Sequence, residues 1–429
     1  MSRLYLGLAA LAACSPVVAH TPDAPPTIDS SPDAPGHGMV SVKVYDPNNT
    51  AAVVVGVPVV FIEADGTQVG HPATGADGVA SADVHTNATA TVVITTQGST
   101  QMQTVTGLQP GDMIILGPTT GTPTSAGTFS VTFPSFSGAT NYDVYGPCGS
   151  TNGTALTLVL QMQTDCKLDT MDITVVPKDA SGNPLVYLTK TGVAFVAGGS
   201  TTVTGNYTGL SPFTASYTNI NAIVTSINVS RAVPDGLGFS KSTQGTPANG
   251  TLSLLAPGPA GTKAIVTSNF STATGGQLFQ QAIPGNGQTY GLDVGASLLP
   301  WLGAPTYDLT THKLTVTTDT TGTTNDAPDL FFAQAAYSRT VGTTTTSYAW
   351  LIFAAAPGEL TLPTLPVDVG DVMSKATDTA QSTFAGMVEA DTLNGYNDVR
   401  LDVYQKTNSV TDPPHPTAMR VREATSFMR

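Results

Sequence analysis

Met39-Val40-Ser41-Val42-Lys43-Val44-Tyr45 sets a valine at every second position with other residues between, the period of a strand that buries one face and wets the other. Outward from it, Val57-Pro58-Val59-Val60-Phe61-Ile62 is an unbroken apolar run followed by an Asp65-Gly66 turn, and Asp77-Gly78 introduces Val79 to Val84 with hairpin chemistry. Ala90 to Thr95 and Met102 to Thr106 follow, then Pro110-Gly111-Asp112 and Met113 to Leu116. So many short strands between frequent turn signals predict a small β-sandwich over 39–118.

The whole chain shares this texture. Charged residues make up 11% of the 429 positions, against about 25% in ordinary soluble domains. Glycine (43) and proline (31) are plentiful and 40% of residues are hydrophobic, which suits many short strands joined by turns and argues against global disorder. The length admits roughly two to four domains. A formal charge of −14 speaks against a nucleic-acid partner, whose phosphates it repels. Arg420, Arg422 and Arg429 read as a solvated end without function.

After a Thr119 to Gly127 linker, a second β region over 127–267 shows strand patterns at Phe129 to Phe133, Asn141 to Tyr145, Ala155 to Gln161, Asp172 to Val176 and onward to Lys263 to Val266. A loose stretch near 268–276 precedes a C-terminal β-rich domain over 277–429. There, strands are expected near Lys313 to Thr318, Leu330 to Tyr337, Ser347 to Phe353, Glu359 to Leu362 and Asp398 to Tyr404, with one helix over Asp371 to Met387 that Asp371 would cap.

Gly56-Val57-Pro58-Val59, then Asp65-Gly66-Thr67, then Thr74 and Asp77-Gly78-Val79-Ala80 resemble carboxypeptidase regulatory-like and invasin-type Ig-like modules over 39–118. The resemblance implies a spacer or adhesive unit with no catalytic residues to carry over. The expected fold is therefore all-β: tandem Ig-like β-sandwich domains after a disordered, proline-rich linker.

That linker starts at a distinctive tetrapeptide. Residues 1–13 carry one basic residue, Arg3, and an apolar run ending in Leu11-Ala12-Ala13-Cys14; about ten apolar residues suit a signal peptide, and a membrane span needs about twenty. The tetrapeptide resembles the lipobox of bacterial lipoproteins, which implies cleavage before Cys14, a diacylglycerol on its sulfur and a membrane partner through that lipid anchor. The competing expectation is an ordinary secretory signal cut near Ala19. Ser15, standing where aspartate favours inner-membrane retention, implies the outer membrane. Residues 14–38 then repeat Pro-Asp-Ala-Pro, a polyproline-prone stalk of up to roughly 70 Å. With Cys14 acylated, Cys148 and Cys166 are left to pair; one disulfide there would contribute about 3 kcal/mol in the chain-entropy model. Two free buried thiols are the alternative.

Chemistry is sparse. His20, His37, His71, His85, His312 and His415 follow no metal-ligand spacing, although His71 and His85 have a route to meet across the first sandwich. Gly238-Phe239-Ser240-Lys241-Ser242 falls one residue short of a nucleophile elbow, and Gly285-Asn286-Gly287 is only a turn. Asp65 and Asp77 read as turn-formers. Asp319, Asn325, Asp326 and Asp329 form an acidic loop that suits calcium or plain solvation, and Trp301 and Trp350 read as core before carbohydrate platform. No catalytic residue, metal ligand or cofactor is assigned. The expectation is a lipid-anchored envelope or cell-surface protein with a structural, adhesive or binding role and a protein or glycan ligand; a secreted hydrolase without a recognisable motif and a periplasmic ligand carrier are the alternatives.

Overall fold

The computed structural model describes residues 36–46, 49–96, 98–117, 124–164, 168–232, 240–247, 250–256, 264–283, 289–403 and 420–428. Its first core takes the valine alternation at face value. Strands β1 (His37–Asp46), β2 (Asn49–Val53), β3 (Val59–Ile62), β4 (Gln68–Gly70), β5 (Val79–His85), β6 (Ala88–Thr96), β7 (Ser99–Leu108) and β8 (Met113–Leu116) form two facing sheets, β2-β1-β5 with β8 alongside β1, and β4-β3-β6-β7. Val40, Val42 and Val44 lie buried between them with Phe61, Val92 and Ile114. The Asp77-Gly78 turn needs its glycine, which sits at φ 75°, a conformation open to residues without a Cβ.

A second sandwich follows. It comprises β9 (Ser125–Thr132), β10 (Asn141–Gly146), β11 (Gly149–Gly153), β12 (Thr157–Gln163), β13 (Thr170–Lys178), β14 (Val186–Ala194), β15 (Gly199–Thr202) and β16 (Thr208–Gly209) in sheets β11-β10-β13-β14-β16 and β12-β9-β15. Phe129, Val144, Leu160 and Ile173 fill it. The third core lies under β17 (Ser211–Thr218), β18 (Ser226–Ala232), β19 (Ser240–Gly245), β20 (Thr251–Ala256), β21 (Ala264–Ser271), β22 (Gly275–Ile283) and β23 (Thr289–Asp293), packed around Phe213, Tyr217, Phe270 and Phe279.

The fourth core closes the chain back on its start. Its strands are β24 (Trp301–Leu302), β25 (Thr306–Asp308), β26 (Lys313–Thr315), β27 (Thr318–Asp319), β28 (Leu330–Val341), β29 (Thr344–Ala354), β30 (Glu359–Thr361), β31 (Thr379–Ala380), β32 (Thr383–Ala390) and β33 (Arg420–Met428), with a 3-10 turn (Val367–Val369) and a one-turn helix α1 (Tyr396–Val399). β29 pairs in parallel with β7, Ser347 opposite Ser99 through Phe353 opposite Val105. One sheet therefore runs β19-β18-β21-β22-β33-β32-β28-β29-β7-β6-β3-β4, with β31 beside β28. The first module's second sheet is buried on both sides: Phe61 and Val92 face the first core, while Val60, Ile62, Val93 and Met102 join Trp350, Tyr337 and Met387 in the fourth. The indole N–H of Trp350 donates to Thr104 Oγ1 at 2.8 Å across that joint.

The all-β class and the tandem, Ig-like β-sandwich architecture are thus what the strands build. Three local expectations are corrected. Asp371 to Met387 is not a helix: Thr383–Ala390 is β32, hydrogen-bonded between β28 and β33, with Ala385 and Met387 buried two apart as a strand requires. Asp371 pairs with Lys375 and Arg339 instead of capping. Asp398 to Tyr404 is not a strand up to Val403, where its description ends: the β-pairing of Asp402 is an isolated bridge with Ile115, and Val399 of α1 and Val403, four apart, both enter the first core. The stretch 268–276 is not loose: it is a hairpin of the end of β21 and the start of β22, with only 272–274 between them and Thr272 N–H donating to Gly275 O at 2.8 Å. The signal segment, Cys14 and residues 15–35 of the proline-rich linker lie outside the described residues, and His37 and Gly38, expected at the linker's end, already pair with His85 and Val84 in β1.

Candidate functional site

Two residues singled out separately in the sequence, Trp301 and Asp319, are direct cross-strand partners in β24 and β27, and Leu302 sits opposite Thr318. They border a cleft of about 440 Å³. Its other walls come from distant parts of the chain: Ile223 before β18, Thr272 to Thr274 and Gly276 at the β21–β22 connection, Gly303 and Thr317, and Thr425 of β33.

The cleft is framed by hydrogen bonds to backbone carbonyls. Gly303 N–H donates to Thr317 O at 2.9 Å, Gln277 Nε2 donates to Leu299 O at 2.6 Å from beneath, and Asn221 Nδ2 donates to Thr321 O at 2.6 Å, holding the turn after β27. Gly303 leaves the room for Thr317, whose Oγ1 would stand 2.2 Å from an added Cβ. Asp319 accepts the Thr321 N–H at 2.8 Å, and hydrogen bonding from Thr321 holds its carboxyl below the ordinary aspartate value. The carboxylate is ionised at neutral pH and exposed at the rim. Trp301 is 4% exposed and Ile223 43%, so the indole stiffens the wall and Ile223 and the threonines present it. Threonine hydroxyls both donate and accept, and the carboxylate only accepts. The lining includes no histidine, cysteine or lysine among the described residues, so it is equipped to hold a ligand and not to attack one.

A second hollow of about 480 Å³ lies where Asn183 and Pro184 approach Pro212, Thr243, Ser253, Leu254 and Leu255. Its lining carries no ionised group among the described residues.

The acidic loop does not converge. Asp326 reaches Arg422 at 2.6 Å, and Asp329 is buried, accepting the amides of Ala390 and Gly395 at 2.8 Å each; among the described residues no group of three His, Cys, Asp or Glu side chains is placed to hold a metal ion. Arg422 corrects the reading of a solvated C-terminal end: it is 2% exposed, paired with Asp326 and with Glu389 at 2.6 Å. Arg420 pairs with Asp391 at 3.0 Å, and Arg429 lies outside the described residues.

The histidines are scattered. His71 bonds Asp368 at 2.7 Å, while His85 meets Glu63 at 3.1 Å and the ring of His37 at 5.6 Å, so His71 and His85 do not come together. Asp65 and Asp77 accept the amides of Thr67 and Val79, as turn-formers do. Cys148 Sγ accepts the Gln163 N–H at 3.3 Å, near the chain position of Cys166, which is outside the described residues. Gly285 to Gly287 are outside them as well. Trp350 is fully buried, in agreement with its core reading. The threonines of the cleft had escaped the sequence reading, because threonine on a strand signals only a wet, β-branched position.

No family model and no curated protein matches the sequence. Among solved structures, the chain is aligned with the Bacillus anthracis TIE protein at 9% identity and TM-score 0.15, covering 60% of this chain and 50% of that one. It is also aligned with two B repeat units of the collagen-binding protein of Staphylococcus aureus at 11% identity and TM-score 0.14, covering 86% and 97%. A third alignment, to E. coli alpha-2-macroglobulin, has 10% identity and TM-score 0.13, covering 92% of this chain and 28% of that one. The chain spans half the length of the TIE protein chain. TM-scores this low carry no argument about function, and the fold class rests on the strands themselves.

Proposed function

We propose that this chain is a lipid-anchored protein of the bacterial cell envelope, in the outer membrane where the host has one, whose β-sandwich body has a structural, adhesive or binding role. In this reading 1–13 is a lipoprotein signal peptide and 14–38 a lipidated cysteine with its stalk. The segments 39–118, 127–267 and 277–429 are the displayed body. The anchor draws its support from Leu11-Ala12-Ala13-Cys14. The observation that carries the binding role is the cleft at the Trp301–Asp319 pair, whose lining offers hydroxyls, one carboxylate and apolar contact. No specific observation favours the hydrolase or the ligand carrier: the described histidines lie outside the linings of both hollows, and both hollows are of mixed polarity.

Palmitate labelling of growing cells tests the anchor. Wild type is expected to incorporate label and Cys14→Ala to lose it; an unlabelled wild type ends the anchor reading. The Cys148–Cys166 disulfide belongs to the same reading of an oxidising compartment, and Cys148 placed against Gln163 supports it. Both cysteines are expected to resist alkylation until reductant is added, and free alkylation without reductant would remove the pair.

A further inference from the structure

We infer that the cleft beside the Trp301–Asp319 pair is a binding site for a neutral glycan. The inference rests on the binding reading of the body and is independent of the lipid anchor. At about 440 Å³ the cleft falls within the range of small-ligand sites, and each ligand class meets the same lining differently. An anionic ligand meets the Asp319 carboxylate, a chain of net charge −14 and, among the described residues, a lining without lysine, arginine or histidine. A purely apolar ligand would strip water from Asp319 and from the threonine hydroxyls without replacing it. Among the described residues a hard cation finds a single lining carboxylate where calcium takes about six to eight oxygens.

A sugar fits on both counts. Its hydroxyls each donate and accept, which matches the hydroxyls of Thr272, Thr274, Thr318 and Thr425, and a carboxylate is a strong acceptor for them. Its C–H surface finds Ile223, 43% exposed at the rim, and Leu302 behind it. The hydrogen bonds from the Gly303 amide and from the Gln277 and Asn221 side chains set the walls in advance, which lowers the ordering cost of binding.

The test titrates the full-length chain with chitotriose, cellotriose and maltotriose, and with a heparin hexasaccharide as the anionic contrast, following tryptophan fluorescence and calorimetry. The chain has two tryptophans, and Trp350 is fully buried in a different core, so a ligand-dependent change reports on Trp301. At least one neutral trisaccharide is expected to give a saturable response. Asp319→Asn, at an exposed position, is expected to weaken it about tenfold, the worth of one hydrogen bond to a charged group. Gly303→Ala, which pushes the Thr317 hydroxyl aside, is expected to weaken it as well. The inference is overturned if none of the three neutral sugars gives a saturable response, if heparin binds as well as they do, or if both variants bind like wild type. Such a failure alongside positive palmitate labelling leaves the anchor reading standing and rejects the glycan alone.

Discussion

At the scale of single residues, two carboxylates illustrate opposite electrostatic settings. Asp378, with a side chain 1% exposed, receives both Arg339 Nε at 2.9 Å and Nη2 at 2.8 Å, while that guanidinium stands 5.2 Å from the Tyr348 ring centre. Burial works to raise the Asp378 carboxyl, but hydrogen bonds from Arg339 and the Lys375 amide outweigh it and the net shift is downward. Its stabilisation is therefore present above the ordinary aspartate range, near pH 4, and is lost as pH falls through the lowered value. The Glu423 carboxyl has no hydrogen-bond partner among the described residues, and burial raises it. Its contribution is fully present below the ordinary glutamate value and is lost as pH rises through the raised one. Asp378→Asn is expected to cost about 2 kcal/mol at neutral pH, less than the roughly 3–5 kcal/mol of a fully broken buried pair, because Asp371 still stands 3.0 Å from Arg339. Glu423→Gln is expected to raise the melting temperature at neutral pH. Thermal melts at pH 7, pH 4 and pH 2 check both: the Glu423→Gln gain shrinks by about pH 4, whereas the Asp378→Asn deficit persists there and shrinks only toward about pH 2, and a Glu423→Gln gain that persists at pH 4 rejects the burial account. Neither role is legible in the sequence, because Asp378 and Arg339 are far apart along the chain and only the fold brings them together.

At the scale of elements, the joint between β22 and β33 turns on Gly275. An added Cβ would lie 2.0 Å from the carbonyl oxygen of Thr425, a backbone atom that cannot step aside. Gly275→Ala is expected to lower stability by about 3 kcal/mol, read from the urea midpoint; an unchanged midpoint would mean that the two strands do not pair as described. The strands of the first module were legible because alternation and Asp-Gly turns act over a few residues, and both survive folding unchanged. Val59-Val60-Phe61-Ile62 carried a further signal that went unread. An unbroken apolar run marks a strand buried on both faces, and all four residues are buried. Thr383 to Ala390 misled for the converse reason: its apolar residues fit a helix as loosely as a strand, and pairing with β28 and β33 decides between them. The cleft was half legible, as Trp301 and Asp319 were singled out but their adjacency is a matter of register.

At the scale of the molecule, the parallel pairing of β7 with β29 makes one structural body of residues from opposite ends of the chain. Their stabilities should be linked. Amide exchange is expected to show equal protection in β7 and β29, and Thr104→Val, which leaves the buried Trp350 indole N–H without an acceptor, is expected to lower both by about 1–3 kcal/mol; loss of protection in one strand alone would show independent domains. The pairing also sets a timetable. A chain grows from its N-terminus at roughly 5–20 residues per second, and Trp350 follows Thr104 by 246 positions. The first sandwich therefore spends on the order of ten to fifty seconds with the hydrogen-bonding edge of β7 and the apolar side chains of Val93 and Met102 uncovered. During that interval it is a sheet in search of a strand, and whatever shields that edge, a chaperone or the export machinery, decides whether the finished body forms or the nascent chains pair with one another.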